Sequence, residues 1–441
     1  MFLKRITIDN YSCFKQFDVE LTEGINVIIG RNGAGKTSLI KSLVYLMNFM
    51  FTNDRSMGDN FLSAGNPDLK MISIKQDEFY RFNANSEAVS YANFHGEMTF
   101  EGEEFSWDMY KKSIFGASLY PSKYVDAYRK LMELSTKTGR LPLLAYFSDC
   151  FPHKQTNISS FARNEISKTT DILRNFGYYQ WDNETACTVI WQMRLLNVMA
   201  KSMSLKETRS AAVKECSYVL NALKSFSRTI NRDGDNSFEV DTLMLNYNGA
   251  EKLELWVKLK TGQEIPFDAL PAGYHRLYSI VLDLAYRSCL LNRSNPDETT
   301  GLVLIDEVDL HLHPSLSLEV LERFRAVFPA IQFVMTTHSP LIISSLKSDE
   351  HRNQVLRLVS GEEKPHVLPD LYGIDYNAGL SDGMGVNPSN EDIDYLKRAI
   401  LRAERRGDFE NRRLKENELR GLVSEELYDR IMSEIETALK I

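Results

Sequence analysis

The segment Gly30-Arg31-Asn32-Gly33-Ala34-Gly35-Lys36-Thr37 has the residue types and spacing of a phosphate-binding loop, G-x-x-x-x-G-K-[ST]. Glycines at these positions let the backbone turn tightly, so that successive N–H groups point at one phosphate chain. The loop opens a helix, whose N-terminal dipole favours the same anion. Lys36 is expected to reach the β- and γ-phosphates of a nucleoside triphosphate, and the Thr37 hydroxyl to bind Mg²⁺. Ser38 completes the set that would line the triphosphate. A second group lies far downstream. The apolar run Leu302-Val303-Leu304-Ile305 ends in Asp306-Glu307. Asp306 would hold Mg²⁺ beside Thr37, and Glu307 would polarise a water in line with the γ-phosphate. His338, in Thr336-Thr337-His338-Ser339-Pro340, follows another strand and would donate a hydrogen bond to the γ-phosphate. Leu270-Pro271-Ala272-Gly273-Tyr274-His275-Arg276 opens a helix whose N-terminus, at Gly273, could meet a phosphate too.

The elements that must position these residues are legible from periodicity. Short strands are expected over Leu3–Asp9, Phe14–Leu21 and Gly24–Ile29, with a helix from Thr37 to about Phe51. Met71–Ile74, Ala92–Phe100 and Phe105–Trp107 alternate in period two, with Glu101-Gly102 as a hairpin turn. A helix over Tyr120–Thr136 precedes the continuous apolar run Arg140–Phe147, which has the pattern of a buried parallel strand. Residues 157–230 read as helical, and Phe238–Leu259 as a hairpin turning at Asn248-Gly249. Helices over Gly273–Leu291 and Ser315–Phe328, the strand Ile331–Met335 and a charged helical tail from Glu391 complete the chain.

Composition bounds the function. The net charge of −8 gives no support for a protein whose whole surface grips nucleic acid, although a sum does not exclude a local basic groove. The cysteines (Cys13, Cys150, Cys187, Cys216, Cys289) are scattered and odd in number, against a disulfide framework or zinc ribbon and in keeping with a reduced cytosol. No signal pattern and no apolar run of membrane-spanning length is seen, so a cytoplasmic protein without a membrane partner is expected.

Taken together, these motifs resemble the ATP-binding-cassette (ABC) ATPases, in the non-transporter branch of RecF, the SMC-like repair ATPases and the OLD-type proteins. The resemblance covers residues 1 to about 47 and about 255 to 345. It implies an α/β ABC-ATPase head, with a mixed sheet around the phosphate-loop helix and an antiparallel β arm. A helical insertion lobe and a helical C-terminal segment are added to it. The implied layout is a first half at 1–156, the lobe at 157–230, a second half at 231–345 and an interaction region at 346–441. It also implies ATP and Mg²⁺ as cofactors, hydrolysis to ADP and phosphate, and a head-to-head homodimer in which Gly273 of each copy caps the other's ATP. A higher homo-oligomer would build on that dimer. Asp306 to Pro314 is similar to the D-E-x-E-x-H-L-H-P variant of this branch, which makes His311 and His313 part of a dimer-contacting loop, not metal ligands. The family's signature reads L-S-G-G-Q, and here Pro271 replaces the serine that contacts the γ-phosphate. Pro271 has neither hydroxyl nor N–H to offer. The cross-subunit contact would then rest on Gly273 and neighbouring amides, or on His275 or Arg276, with slow hydrolysis as the consequence. Gln155 is the candidate for the family's glutamine loop.

The tail offers no nuclease pattern after His338, since Asp392-Ile393-Asp394 sits in an amphipathic helical run without a preceding strand. A nuclease effector is therefore expected on a separate chain. This arrangement resembles the ATPase subunits of two-gene antiphage systems, the AriA type of PARIS or the PtuA type of Septu, nearer the former. A RecF/SMC-like repair ATPase that binds DNA is the alternative. Basic and acidic residues interleave from Asp394 to Glu418, the pattern of a solvated face, with partner or nucleic-acid docking as the other reading. Leu396, Ile400, Leu401, Leu414, Leu419, Leu422 and Leu427 suggest that the tail packs against something.

Overall fold

Alternating and continuous apolar runs sort the strands of this chain into two kinds of sheet. The structure is a computed structural model. It describes the chain except residues 53–61, 82–89, 116–118, 151–157, 169–171, 183–187, 205–210, 231–235, 248, 250–251, 349–351, 386–390 and 440–441. Gln155 lies outside the described residues, as does part of the turn at Asn248-Gly249.

The first half contributes β1 (Phe2–Tyr11), β2 (Phe14–Glu20), β3 (Ile25–Gly30), α1 (Lys36–Met47), β4 (Ala92–Phe100), β5 (Glu103–Lys111), α2 (Val125–Thr138) and β6 (Leu143–Phe147). Helices α3 (Ser160–Ser167), α4 (Thr188–Ser204) and α5 (Ala211–Ser227) follow, then β7 (Val240–Tyr247), β8 (Leu253–Leu259) and β9 (Glu264–Pro266). The remainder is α6 (Ala272–Leu291), β10 (Gly301–Ile305), α7 (Pro314–Ser317), α8 (Val320–Val327), β11 (Ile331–Thr336), α9 (Pro340–Ser345), β12 (Gln354–Leu358), β13 (His366–Val367), α10 (Tyr376–Ala378), α11 (Glu391–Arg406), α12 (Phe409–Leu422) and α13 (Glu425–Leu439).

Strand β4 alternates buried and part-exposed residues and pairs antiparallel with both β1 and β5, giving a sheet of order β2-β1-β4-β5. The hairpin announced at Glu101-Gly102 is thus carried on β1. Gly96 is required there, because a Cβ would sit 2.8 Å from the Leu46 side chain of α1. The central sheet has the order β13-β12-β3-β11-β10-β6, with β12, β3, β11, β10 and β6 parallel. Strands β6, β10 and β11 are buried along their whole length, as their unbroken apolar runs require.

Three expectations are corrected. Met71–Ile74 is not a strand: the Ile72 carbonyl accepts from Asn48 Nδ2 at 2.7 Å and the Ile74 carbonyl from Lys111 Nζ, so side chains take the place of a ladder. The helix expected over Ser315–Phe328 is two, α7 and α8. The segment after residue 345 supplies β12 to the central sheet, so the first compact unit runs from Met1 to Ile374.

The helical insertion docks on α6 and α8 through buried polar groups. Trp191 of α4 donates its indole N–H to Asp283 Oδ2 at 2.5 Å and stacks on Tyr286. Arg287, one turn after Asp283, bonds the same carboxylate and donates to the Gly177 carbonyl at 2.9 Å. Arg323 of α8 pairs with Glu319 and donates to the carbonyls of Phe226 and Ser227. Removing one partner of such a pair leaves a buried charge uncompensated. Asp283→Ala is expected to cost about 3–5 kcal/mol, read as a lower midpoint in chemical denaturation. A midpoint equal to that of the unmodified protein would show that the pair does not hold the lobe.

Residues Asp375 to Ile441 form a second compact unit. Its core is Leu396, Ile400, Leu419, Tyr428, Ile431 and Ile435, contributed by α11, α12 and α13. Of the apolar positions noted in the tail, Leu396, Ile400 and Leu419 are consumed here, while Leu414, Leu422 and Leu427 stay exposed.

Candidate nucleotide site

Strand β3 ends at Gly30 and the chain turns into α1 through a loop with three glycines at positive φ: Gly30 at 154°, Gly33 at 80° and Gly35 at 97°. Two of them are also sterically required. A Cβ on Gly30 would lie 2.7 Å from the Leu358 carbonyl oxygen, and one on Gly35 would lie 2.6 Å from the Phe14 ring. The loop therefore wraps between β12 and the β1–β2 turn. Arg31, Asn32, Gly33 and Thr37 are exposed, and Ala34 is buried as the loop's anchor. Ser38 shares a 2.8 Å hydrogen bond with Ser12, which ties α1 to the turn after β1.

Lys36 is buried to 8% exposure and folds back on the loop, donating to the carbonyls of Gly30 at 2.9 Å and Arg31 at 3.3 Å. Burial pushes its ammonium below the ordinary lysine value, opposed by the charges of Asp306, Glu307 and Asp309. A cation poised in this way gains a partner when an anion enters the loop.

The pairing β3–β11–β10 brings the downstream carboxylates to the loop. Thr37 Oγ1 donates to Asp306 Oδ2 at 2.9 Å, joining the two halves of the predicted metal site. Thr336, at the end of β11, donates to the other oxygen of Asp306 and accepts from the Glu307 N–H at 2.8 Å. Two hard oxygen donors on adjacent elements beside a buried lysine suit Mg²⁺, which takes one or two protein oxygens and completes its shell with water and phosphate. Glu307 has φ 51°, a left-handed conformation costing ~1–3 kcal/mol in a residue that is not glycine. The Thr336 hydrogen bond and the Val308 N–H to the Thr336 carbonyl (3.0 Å) hold it there.

Thr336 and Thr337 are the site residues that sequence reasoning passed over. Thr337 donates to Asp309 Oδ1 and accepts from the Ser339 N–H, which shapes the turn that carries His338. His338 itself is exposed at the carboxyl end of β11. Their signal was present in the Thr-Thr-His-Ser-Pro string, but threonines at strand ends are common.

Gly273 stands at the start of α6, where a Cβ would lie 2.5 Å from the His311 carbonyl, so the helix start packs on the loop that follows Asp306 and Glu307. Tyr274 stacks on Phe238 at 4.3 Å. Arg276 is not available to a second subunit. It is 1% exposed and donates to the carbonyls of Asp306 at 2.8 Å and Ser148 at 3.3 Å. These carbonyls, at the ends of β6 and β10, hold it inward, which overturns its candidacy for a cross-subunit contact; burial pushes its pKa down, opposed by Glu307, Asp149, Asp306 and Asp309. His311 adopts φ 63°, and His313 caps α7 by accepting from the Ser315 N–H. Among the described residues no cluster of three metal-ligating side chains occurs. A cleft of about 970 Å³ lies at the other end of the sheet, by Gly24, Thr300 and Ile331, and contains none of these residues.

Residues 1–343 match the sequence model of the family described as AAA ATPase domain (AAA_15). The retron Vc95 probable ATPase of Vibrio cholerae serotype O1 biovar El Tor is 24% identical over 379 residues, covering 79% of this chain and 72% of the relative. Septu protein PtuA of Bacillus thuringiensis is 21% identical over 430 residues, covering 93% of this chain and 90% of the relative. Among solved structures, the SMC head bound to the C-winged helix domain of ScpA superposes with a TM-score of 0.46 at 12% identity, covering 83% of this chain and 98% of that one. No described helix is long and apolar enough to cross a membrane.

Proposed function

The chain belongs to the AAA ATPase domain family and is an ATPase, and from that premise we propose that it is the nucleotide-controlled switch of an antiphage defence system. In this reading ATP closes a homodimer, and the closed and open states differ in their hold on a separate nuclease. The observation that carries it is the meeting of Lys36 and Thr37, at the start of α1, with Asp306 and Glu307, after β10, beside a phosphate loop exposed at Arg31, Asn32 and Gly33, with Pro271 at the helix start that should complete the site. The match to a Septu protein along 93% of the chain supports the defence setting.

Lys36 leaves the carbonyls of Gly30 and Arg31 for the β- and γ-phosphates, while the N–H groups of the glycine loop hold the phosphate chain in register. Mg²⁺, held by Thr37 and Asp306, would neutralise charge that develops on the phosphates. Glu307, fixed through its backbone by Thr336, takes a proton from the attacking water, and His338 donates to the γ-phosphate. The loop is exposed on its outer side at Arg31, Asn32 and Gly33, and the start of α6 is exposed at Pro271 and Ala272 beside the buried Gly273, so a second copy has room to cap the loop with that helix start.

Pro271 supplies no donor to that cap, and hydrolysis is accordingly slow. Restoring a donor with Pro271→Ser is expected to raise turnover about tenfold, the worth of one hydrogen bond to a charged group. Phosphate release measured with saturating ATP checks this, and unchanged turnover would remove Pro271 as the cause. The switch itself is tested by purifying the protein with its neighbouring gene product in ATP and in ADP. A nuclease that stays bound in only one nucleotide state supports the reading. Retention that ignores the nucleotide overturns it.

A further inference from the structure

The second compact unit carries a groove that the ATPase site does not use. It is lined by one face of α11 and the start of α12, including Tyr395, Arg398, Arg402, Arg406 and Lys415, and encloses about 490 Å³. Arg398, Arg402 and Arg406 recur every four residues, so they stand in one row about 6 Å apart. All three are exposed. Lys397 pairs with Glu434, Arg412 with Glu404 and Glu416, and Lys415 with Glu418, while the exposed Arg405 and Arg413 lie outside the groove lining. The arginine row has no such carboxylate partner among the described residues. Two carboxylates share the groove, Asp394 and Asp408, but Asp408 is committed to capping α12 through the Asn411 N–H. Tyr395 stands at the rim with 61% of its surface exposed; Lys415 Nζ lies over one face of its ring, 5.6 Å from the centre, which leaves the other face for a base.

We propose that this groove binds the backbone of single-stranded nucleic acid. A row of guanidinium groups beside an exposed aromatic ring is the combination that single strands use. Phosphates pair with the arginines and a base stacks on the ring. The occupant is a single strand because its unstacked bases are free to lie on an aromatic ring, whereas the bases of a duplex are already stacked on one another. The net charge of −8 is no obstacle, because binding depends on the local row and not on the sum. This inference rests on the tail alone, so its failure would leave the ATPase reading intact.

The test is fluorescence anisotropy with the full-length protein and a labelled oligothymidylate of about 20 nucleotides, longer than the ~4–16 nucleotides one such site covers. The triple variant Arg398→Ala, Arg402→Ala, Arg406→Ala is expected to weaken binding at least about tenfold and to reduce the slope of log affinity against log salt by about 2. Tyr395→Ala is expected to weaken binding several-fold with the salt slope unchanged. All four side chains are exposed, so the helices of the tail are expected to survive these changes, and circular dichroism of each variant serves as the control for folding. Binding with an unaltered salt slope in the triple variant overturns the proposal, as does equal or tighter binding of a duplex. Saturation of the groove by an acidic polypeptide with no measurable affinity for the oligonucleotide also overturns it, and makes the groove a protein-docking surface.

Discussion

Lys36→Ala is expected to abolish nucleotide binding, with affinity for ATP falling at least about a hundredfold, and to leave the fold intact. The magnitude follows from what the amine does in each state. Without nucleotide it donates to the carbonyls of Gly30 and Arg31, contacts internal to the loop. With nucleotide the same amine would pair with phosphate oxygens, a charge-assisted contact in a partly buried setting, for which about 3 kcal/mol is a fair scale. Burial already holds the ammonium below its ordinary pKa, so the free protein carries a desolvated cation that anion binding relieves. Alanine removes both the phosphate contact and that bias. The fold is expected to survive because the glycine turns and the Ser12–Ser38 bond do not pass through Lys36. Calorimetric titration with a non-hydrolysable ATP analogue measures the loss, and circular dichroism checks the fold. Retained affinity would mean that the loop amides alone hold the phosphates, and would take Lys36 out of the site.

The sequence made some parts of this molecule legible and left others dark for identifiable reasons. The phosphate loop could be read because its glycines are needed for local backbone geometry, and local geometry is written locally. Asp306 and Glu307 could be read because β10 is an unbroken apolar run and the acids are its first polar residues. The contact of Asp306 with Thr37 depends on β11 lying between β3 and β10, a long-range pairing that no periodicity announces. Arg276 was misread for the same reason. An arginine one turn into a helix reads as exposed, and only the arrival of the Asp306 and Ser148 carbonyls from two different strands buries it. Thr336 went unread because its role is to orient two acids that lie 30 and 29 residues away in the chain. In the tail, helical spacing identified Leu396, Ile400 and Leu419 as packed, but could not say that the tail supplies its own partner helix, α13.

Glu307→Gln is expected to reduce turnover about 10²–10⁴-fold, the range for loss of a general base, while ATP affinity stays within about threefold. The two readouts separate because the residue acts on water and not on the nucleotide. Its backbone N–H goes to Thr336 Oγ1 and its φ is fixed at 51°, so the side chain is aimed by the main chain and glutamine can take the same path. The amide keeps the shape and loses the ability to accept a proton. Asp306 keeps its bonds to Thr37 and Thr336, so the cation site is expected to persist. The variant should therefore accumulate with ATP bound, and under the dimer-closure reading it should also accumulate as the closed homodimer. Size-exclusion chromatography with light scattering, run with ATP and Mg²⁺, measures that directly. A variant that is hydrolytically dead, ATP-loaded and monomeric would break the link between the nucleotide site and subunit closure. One that hydrolyses ATP normally would give the base to another group. Asp309 is then the nearest alternative, being the other acid on the same loop and already bonded to Thr337, where the turn to His338 begins.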